Sequence, residues 1–342
     1  RDRAKLLHRD FVPDMEIVLK RVKRGRERQI SFRHWWKYVA LFVLPLGVAL
    51  ILWQGMKNEP VKEHRQFSAV SRPGGERAIL KLFDGKTVML DSTMKSSLIA
   101  HEASVRIEMD SNHLLRYSSY DSIGITDTNK NNELIIPKGG EYQVMLADGT
   151  KVWLNSASRL IYPQSFMGKE RRVVLSGEAF FDVVKNEKPF IVKTTYLDIQ
   201  ALGTVFTVAS YPGDSCTSTI LEEGSVKVDV KTGDHQPAIL KPNERLVYSH
   251  AAHTVTVQSV DALLYKMERS GYLIYENVSF SHLMASLERK FNVTIHYNSQ
   301  KYADEYYNVK FAPHETLEDV LTVLQQLIGI HFKIKGNVVF IN

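Results

Sequence analysis

The chain has 342 residues, enough for two or three domains of about 150 residues, and its 44% hydrophobic and 24% charged content excludes a wholly disordered or collagen-like protein. A single cysteine, Cys216, excludes an intramolecular disulfide framework and any multi-thiolate metal site. The net charge of +6 would fit a nucleic-acid binder, but residues 1–37 hold 12 Lys and Arg against 5 Asp and Glu while the remainder holds 32 against 33, so the excess is local and no direct nucleic-acid partner is expected.

The basic head runs through Lys20, Arg21, Lys23, Arg24, Arg26, Arg28, Arg33 and Lys37. From Tyr38 to Met56 there is no charged residue. A helix crossing about 30 Å of hydrocarbon needs about 20 mainly apolar residues, and Trp35 to Met56 supplies that length. Trp35, Trp36 and Tyr38 mark one interface and Trp53 the other. Pro45 and Gly47 lie mid-span, where membrane helices tolerate them. The positive-inside rule puts residues 1–34 in the cytoplasm and the chain after the span across the membrane. A cleaved signal peptide is the rival reading, but its basic region would be unusually long and no small-x-small site follows Trp53. The basic run itself reads as a topology signal that also attracts anionic lipid. A docking surface for a cytoplasmic partner is its sharper alternative.

Residues 57–75 are polar, contain Pro60, Pro73, Gly74 and Gly75, and read as a linker. Strand patterns dominate from there to about residue 270. Runs at 78–83, 88–90, 144–146, 152–154, 173–175 and 226–230 are short, β-branched or alternating. Asp84-Gly85, Asp148-Gly149, Pro212-Gly213, Glu223-Gly224 and Thr232-Gly233 punctuate them. Asp-Gly between apolar runs points to type I′ hairpins with two positive φ angles. Residues 74–92 and 139–156 repeat one unit: Gly-Gly-Glu, then Asp-Gly, then a Val-x-Leu strand. The polar stretch from Asp121 to Glu133 between them reads as a loop.

The period changes near residue 272. Tyr272–Val278 is strand-like, Leu283, Leu287 and Phe291 share a helical face, and residues 293–297 and 307–311 alternate. Leu317, Leu321, Leu324 and Ile328 form a second apolar helix face, with Thr316 as cap and Gly329 as stop. A hairpin around residues 335–337 closes the chain. The order is β-α-β followed by β-α-β-β, a small α+β domain.

No catalytic motif emerges, so neither an enzyme nor a cofactor site is expected. Gly85-Lys86-Thr87 resembles the end of a phosphate loop, but residue 80 is Leu where that loop needs Gly. His250 and His253 read as a solvated loop pair rather than metal ligands. Glu178 and Asp182 would share a face of a strand, yet nothing else supports a glycosidase pair. Glu222 and Glu223 read as turn residues. Cys216 has no marked base or acid partner. Trp153, Phe180, Phe181, Phe190 and Phe206 read as core.

One long segment is specific. Residues 139–166, from Gly-Gly-Glu-Tyr-Gln-Val through Ala-Asp-Gly-Thr-Lys-Val-Trp-Leu-Asn-Ser to Tyr-Pro-Gln-Ser-Phe, resemble the FecR family of sigma-factor regulators. The residues that carry the likeness are Asp148, Gly149, Thr150, Trp153, Leu154, Asn155, Tyr162, Pro163, Phe166, Arg171, Gly177, Glu178, Phe181, Pro189, Phe190, Gly203, Thr204, Phe206, Glu223 and Gly224. The last 70 residues look like the small domain that ends FecR-like proteins of the Bacteroidota type, similar to the short secretin and TonB N-terminal fold.

The resemblance implies a single-pass inner-membrane protein with its N-terminus in the cytoplasm and its C-terminus in the periplasm. Its expected parts are a cytoplasmic remnant (1–34), a transmembrane helix (35–56), a linker (57–75), an all-β periplasmic domain (76–270) and an α+β domain (271–342). The β domain should be stacked hairpins, solenoid- or sandwich-like. The implied partners are the signalling domain of a TonB-dependent outer-membrane transducer and, in the cytoplasm, an extracytoplasmic-function sigma factor that controls uptake genes. Strand addition between transducer and regulator is the expected contact. Family members carry a helical sigma-binding domain of about 80 residues before the span. This chain opens on Arg1, so its N-terminus is expected to be cut short and the sigma contact to belong to the full gene product. The alternative is a membrane-anchored periplasmic module that binds glycan or cell wall, hinted at by Tyr302, Tyr306 and Tyr307.

Overall fold

A computed structural model describes residues 75–94, 97–102, 105–110, 113–119, 130–302 and 305–342. The expected cytoplasmic head, the span at 35–56 and nearly all of the linker lie outside the described residues. Among the described residues no helix is long and apolar enough to cross a membrane.

The first nine strands are β1 (Arg77–Lys81), β2 (Thr87–Asp91), β3 (Ser97–Glu102), β4 (Val105–Met109), β5 (Leu115–Ser119), β6 (Asn131–Ile135), β7 (Tyr142–Met145), β8 (Lys151–Leu154) and β9 (Arg159–Pro163). A 12-residue strand follows, β10 (Arg171–Asp182). Then come β11 (Phe190–Lys193), β12 (Leu197–Ala201), β13 (Val205–Ser210), β14 (Cys216–Glu223), β15 (Val226–Val230), β16 (Ala238–Leu240), β17 (Glu244–Ser249) and β18 (Thr254–Ser259). They form a two-layer sandwich. Sheet I runs β2-β1-β6-β9-β10-β11-β12-β15-β16. Sheet II runs β3-β4-β5-β7-β8-β10-β13-β14-β17-β18. The all-β expectation therefore holds for this region, in its sandwich form.

β10 belongs to both sheets. Residues 171–176 pair with β11 and β9 in sheet I, and residues 177–182 pair with β13 and β8 in sheet II. The change of sheet falls at Gly177, whose φ of +110° only glycine adopts freely. A Cβ there would lie 2.6 Å from Ser158 Cα, so the crossing also needs a residue without a side chain.

Alternation fills the space between the layers. In sheet I, Leu80, Leu134, Leu160 and Leu175 face one another in register. In sheet II the matching row is Val144, Val152, Phe181, Phe206 and Leu221. All are buried in one core. Phe181 stacks on Phe206 with centroids 5.2 Å apart, and Phe190 of sheet I meets both Phe181 and Phe166. Aromatic pairs of this kind add about 0.5–1.5 kcal/mol each beyond burial.

The repeat in the sequence is a repeat in space. Leu82 N–H bonds Lys86 O (2.8 Å) and Gly85 N–H bonds Leu82 O (2.9 Å); Leu146, Thr150 and Gly149 reproduce both bonds at 2.9 Å. Asp84 accepts from Lys86 N–H as Asp148 does from Thr150 N–H. Each turn has one positive φ, at Gly85 or Gly149, not two. These are three-residue loops with a left-handed glycine, and the type I′ expectation is corrected. The aspartate, bonding two residues on, favours this form. The two hairpins sit in opposite sheets and touch where they begin, through a parallel bridge between Glu76 and Glu141.

The expected loop before Glu133 is also corrected at its end, because Asn131–Ile135 is β6. Asn132 points inward, which hid the strand's alternation. Its amide accepts from Phe83 N–H and donates to the Tyr117 hydroxyl, which in turn meets Tyr162. A buried polar side chain is tolerated because it is hydrogen-bonded.

After β18 comes a short helix the strand pattern did not reveal, α1 (Ala262–Glu268), capped by Asp261. The C-terminal domain then follows the expected order: β19 (Leu273–Ser279), α2 (Phe280–Phe291), β20 (Thr294–His296), β21 (Tyr306–Phe311), α3 (Leu317–Ile328), β22 (Phe332–Lys335) and β23 (Val338–Ile341). β19 pairs with β21, while β23 lies between β20 and β22. Leu283, Leu287, Phe291, Leu317, Leu321 and Leu324 bury the two helix faces in a second core. Thr316 and Asp319 form a reciprocal capping box, and Gly329 ends α3 at φ +70°.

Candidate functional site at the interdomain cleft

The outer face of sheet II is the floor of a cleft of about 310 Å³, and the C-terminal domain is its roof. The floor follows from strand alternation. Residues that flank the buried row of sheet II point the other way. One outward row in register is Gln143, Trp153, Phe180, Thr207, Ile220 and Arg245. The neighbouring row carries Glu178, Ala209 and Ser218. Trp153 meets Phe180 edge-on at 5.1 Å.

Two arginines close the cleft from opposite ends. Arg269, just past α1, makes paired bonds to Glu222 at 2.6 and 3.1 Å and lies 3.7 Å above the Phe180 ring. Arg289, near the end of α2, makes paired bonds to Asp214 at 2.7 and 3.2 Å and lies 3.8 Å above the Tyr211 ring. Forked geometry and an aromatic face both suit guanidinium. Lys266 to Glu223 and Lys290 to Glu141 add flanking pairs. Gly139 N–H also bonds the Arg289 carbonyl at 2.7 Å.

Between the clamps lie Glu178 and Glu268. Both line the cleft, and neither has an ion-pair partner within 4 Å among the described residues. Burial raises the Glu178 carboxyl above its usual range, against the pull of Arg289 and an Asn155 hydrogen bond. Burial raises Glu268 further, and the Glu178 charge adds to it. Burial also lowers the His282 imidazole, opposed by Asp214. Burial works against the Arg289 charge, but its bonds to Asp214 more than offset this and hold its pKa above the usual value. Burial pushes the Tyr265 hydroxyl up to about 12 and the Cys216 thiol upward as well. Among the described residues, no three His, Cys, Asp or Glu side chains converge to hold a metal.

Few of the residues singled out from the sequence meet here. Trp153, Asn155 and Glu178 line the cleft. Trp153 is therefore corrected from core to cleft wall, because it lies on the outer face of its strand, while Phe180 is buried as expected but on the cleft side of sheet II rather than between the layers. Phe181, Phe190, Phe206, Tyr162 and Leu154 do belong to the core, and Phe166 packs half-buried against it. Asp148, Gly149, Thr150 and Arg171 form a separate buried clamp. Asp148 accepts from Arg171 Nη1 at 2.7 Å and from the Thr150 hydroxyl at 2.7 Å, tying the β7–β8 turn to the start of β10. Pro189 O accepts from Arg171 N–H, and Thr204 O accepts from Val183 N–H. Pro163 ends β9 and Gly177 is the sheet crossing. Gly203 packs against Lys185, and Glu223 and Gly224 make the β14–β15 turn.

Other expectations change too. Glu222 is not a turn residue; it is buried and holds Arg269. His250 and His253 do lie in the β17–β18 turn, with His253 exposed, but each side chain has a partner. His250 stacks on Tyr196 at 4.0 Å and bonds Thr217, while His253 bonds the Tyr248 hydroxyl. Tyr302 and Tyr307 are buried, so of the three tyrosines only Tyr306 stands exposed. The sequence reading missed Tyr211, Asp214, Arg245, Glu268, Arg269, His282 and Arg289. Arg289 carried a weak signal, a basic residue in the last turn of a helix, but that pattern also serves the helix dipole.

Two family domains match the chain in series: FecR protein over residues 132–227 and FecR, C-terminal over residues 272–341. Two crystal structures of a candidate anti-sigma factor from Parabacteroides distasonis, at 1.65 and 2.50 Å, are similar to it. Each is 30% identical with a TM-score of 0.58, and the alignments cover 61% and 62% of this chain and 98% of those chains. No curated protein matches. With the sandwich and the α+β domain lying in the order of these two matches, the chain belongs to the FecR family of anti-sigma factors.

Proposed function

We propose that this anti-sigma factor is a single-pass inner-membrane relay. In this reading the described domains lie in the periplasm and receive a signal from a TonB-dependent outer-membrane transducer. The N-terminal side meets an extracytoplasmic-function sigma factor in the cytoplasm, so that transducer occupancy sets transcription of uptake genes. The observation that carries the reading is order along the chain: a basic head, the uncharged run from Tyr38 to Met56, then two FecR domains. Physically it is a binding module on each side of one helix, with no chemistry of its own.

The small sheets of the C-terminal domain favour strand addition as the periplasmic contact. β19 and β21 pair only with each other, and β20 and β22 flank β23, so backbone edges stand open among the described residues. Deleting residues 76–342 tests the relay. Target transcription should uncouple from the inducing ligand; induction that remains ligand-dependent would refute it. Capture of a purified transducer signalling domain by residues 271–342 in the full chain, with loss of amide exchange along β19 or β21, is the expected biochemical counterpart.

A further inference from the structure

We propose that the C-terminal domain is a hinged flap on the sandwich, pivoting at Ser270–Gly271 and latched by Arg289 on Asp214. This concerns the coupling between the two domains and does not depend on which partner either side binds.

The two ends of the cleft are built differently. α1 packs on β14, and its end is fixed by Arg269 on Glu222, whose side chain is 1% exposed. Lys266 on Glu223 holds the same helix. α1 also packs on β19, its neighbour across the turn, so these two ion pairs are what hold it to the sandwich. The chain then passes Gly271, at φ +89°, and enters β19. A few residues at the end of an element are where hinge rotation is usually absorbed. The far end is held by side-chain pairs and one backbone bond, with no covalent link to the sandwich. There α2 meets the sandwich through Arg289 on Asp214 and Tyr211, Lys290 on Glu141, His282 near Asp214 at 3.5 Å, and the Gly139 N–H bond to the Arg289 carbonyl.

The groups between the ends give the sign of the pH response. Glu178 on β10 faces Arg289 and Lys290 of α2, Asp214 of the β13–β14 turn, and Asn155. Glu268 on α1 faces Glu178, Arg245 of β17, Lys290, and Arg269. Tyr275 of β19 lines the same cleft and feels the charge of both. Both carboxyls stay with the sandwich when the flap lifts, and both regain water. Burial raises each above the ordinary glutamate value of 4.5 in the closed form, so the closed form holds the extra protons. Closure is thus fully favoured near the ordinary carboxylate range and weakens as pH rises through the raised values. His282 on α2 faces Asp214, Arg289 and Arg245 and runs the other way. Its lowered pKa makes closure weaken as pH falls below 6.5, the ordinary histidine value. The carboxyls and the imidazole therefore act in opposite senses, and above 6.5, where the imidazole is neutral in both forms, only the carboxyls of these three groups respond.

Trp153 on the cleft floor reports the state of the flap. The experiment uses the full chain in detergent with Trp35→Phe, Trp36→Phe and Trp53→Phe, which leaves Trp153 as the sole tryptophan. Acrylamide quenching is followed from about pH 5 to about pH 8 at low and high salt. Quenching should rise and emission shift to the red as salt rises and as pH rises above 6.5. Glu178→Gln with Glu268→Gln should flatten the pH response, and Arg289→Gln should be strongly quenched at every pH. Quenching indifferent to pH and salt, or an Arg289→Gln chain no more quenchable than its parent, overturns the proposal. Should Arg289→Gln lose its β-sheet circular dichroism, the pH and salt series on the unsubstituted cleft decides alone.

Discussion

Gly177→Ala is the sharpest test of the sandwich. At φ +110° a side chain brings backbone strain of about 1–3 kcal/mol. The new Cβ would lie 2.5 Å from Ser158 Oγ and 2.6 Å from Ser158 Cα. The second of these is backbone and cannot rotate away, so overpacking adds about 1–3 kcal/mol. Ser158 Oγ also donates to the Glu178 carbonyl at 3.1 Å and accepts from the Glu178 N–H at 2.9 Å. Displacing it puts two bonds of about 0.5–1.5 kcal/mol each at risk. The expected loss is about 3–6 kcal/mol, against a total of about 5–15 for a typical protein. For a unit of this size that lowers the melting temperature by roughly 10 °C or more. Calorimetry and urea denaturation on the full chain measure it. Gly213→Ala is the control, because its Cβ would meet nothing within 4 Å. It should change stability by less than about 0.5 kcal/mol. If Gly177→Ala melts within about 2 °C of the parent, the crossing is not the rigid point described.

Asp148→Asn keeps the turn's shape but leaves the Arg171 charge, 1% exposed, without its counter-ion. A loss of about 3–5 kcal/mol in urea denaturation is expected. Asp229→Asn, from an exposed pair with Lys227, should cost about 1 kcal/mol or less. Thr316→Ala removes the α3 cap and should cost about 1 kcal/mol. Amide exchange should quicken at Leu317–Val320 while the sandwich stays protected; unchanged exchange there would contradict the capping role.

The sequence reading reached the α+β order because each element there is local. Apolar residues at helical spacing, Thr316 before α3 and Gly329 after it are readable without knowing what packs where. It reached the Asp-Gly turns for the same reason. It could not reach which sheet each strand joins, since that depends on pairings such as β1 with β6 that skip four intervening strands. β6 itself was hidden by Asn132, whose partners Phe83 and Tyr117 lie in the β1–β2 turn and on β5. The cleft was less legible still. Trp153 and Phe180 look like core residues, and only their register in sheet II turns them outward. Arg289 and Asp214 are 75 residues apart and form a site only once the domains meet. Of the residues behind the FecR likeness, most secure the fold through turns, the Arg171 clamp and the aromatic core. A family motif of this kind marks what the architecture requires more than where a partner binds.

The shared strand has a consequence for how the protein comes into being. Among the described residues, β10 is the only strand that joins β1–β9 to β11–β18 by backbone pairing, and it does so in both layers at once. Until residues 171–182 have emerged, the earlier strands expose unpaired edges at β8 and β9 and an apolar interior with one side open. A growing or translocating chain must therefore hold about half of its sandwich in a sticky, unfinished state. The commitment to fold comes late and then runs in both directions from one strand. Ordering of this type is slow, because its decisive contacts are non-local, and it leaves the interval before β10 arrives as the time of greatest danger from aggregation.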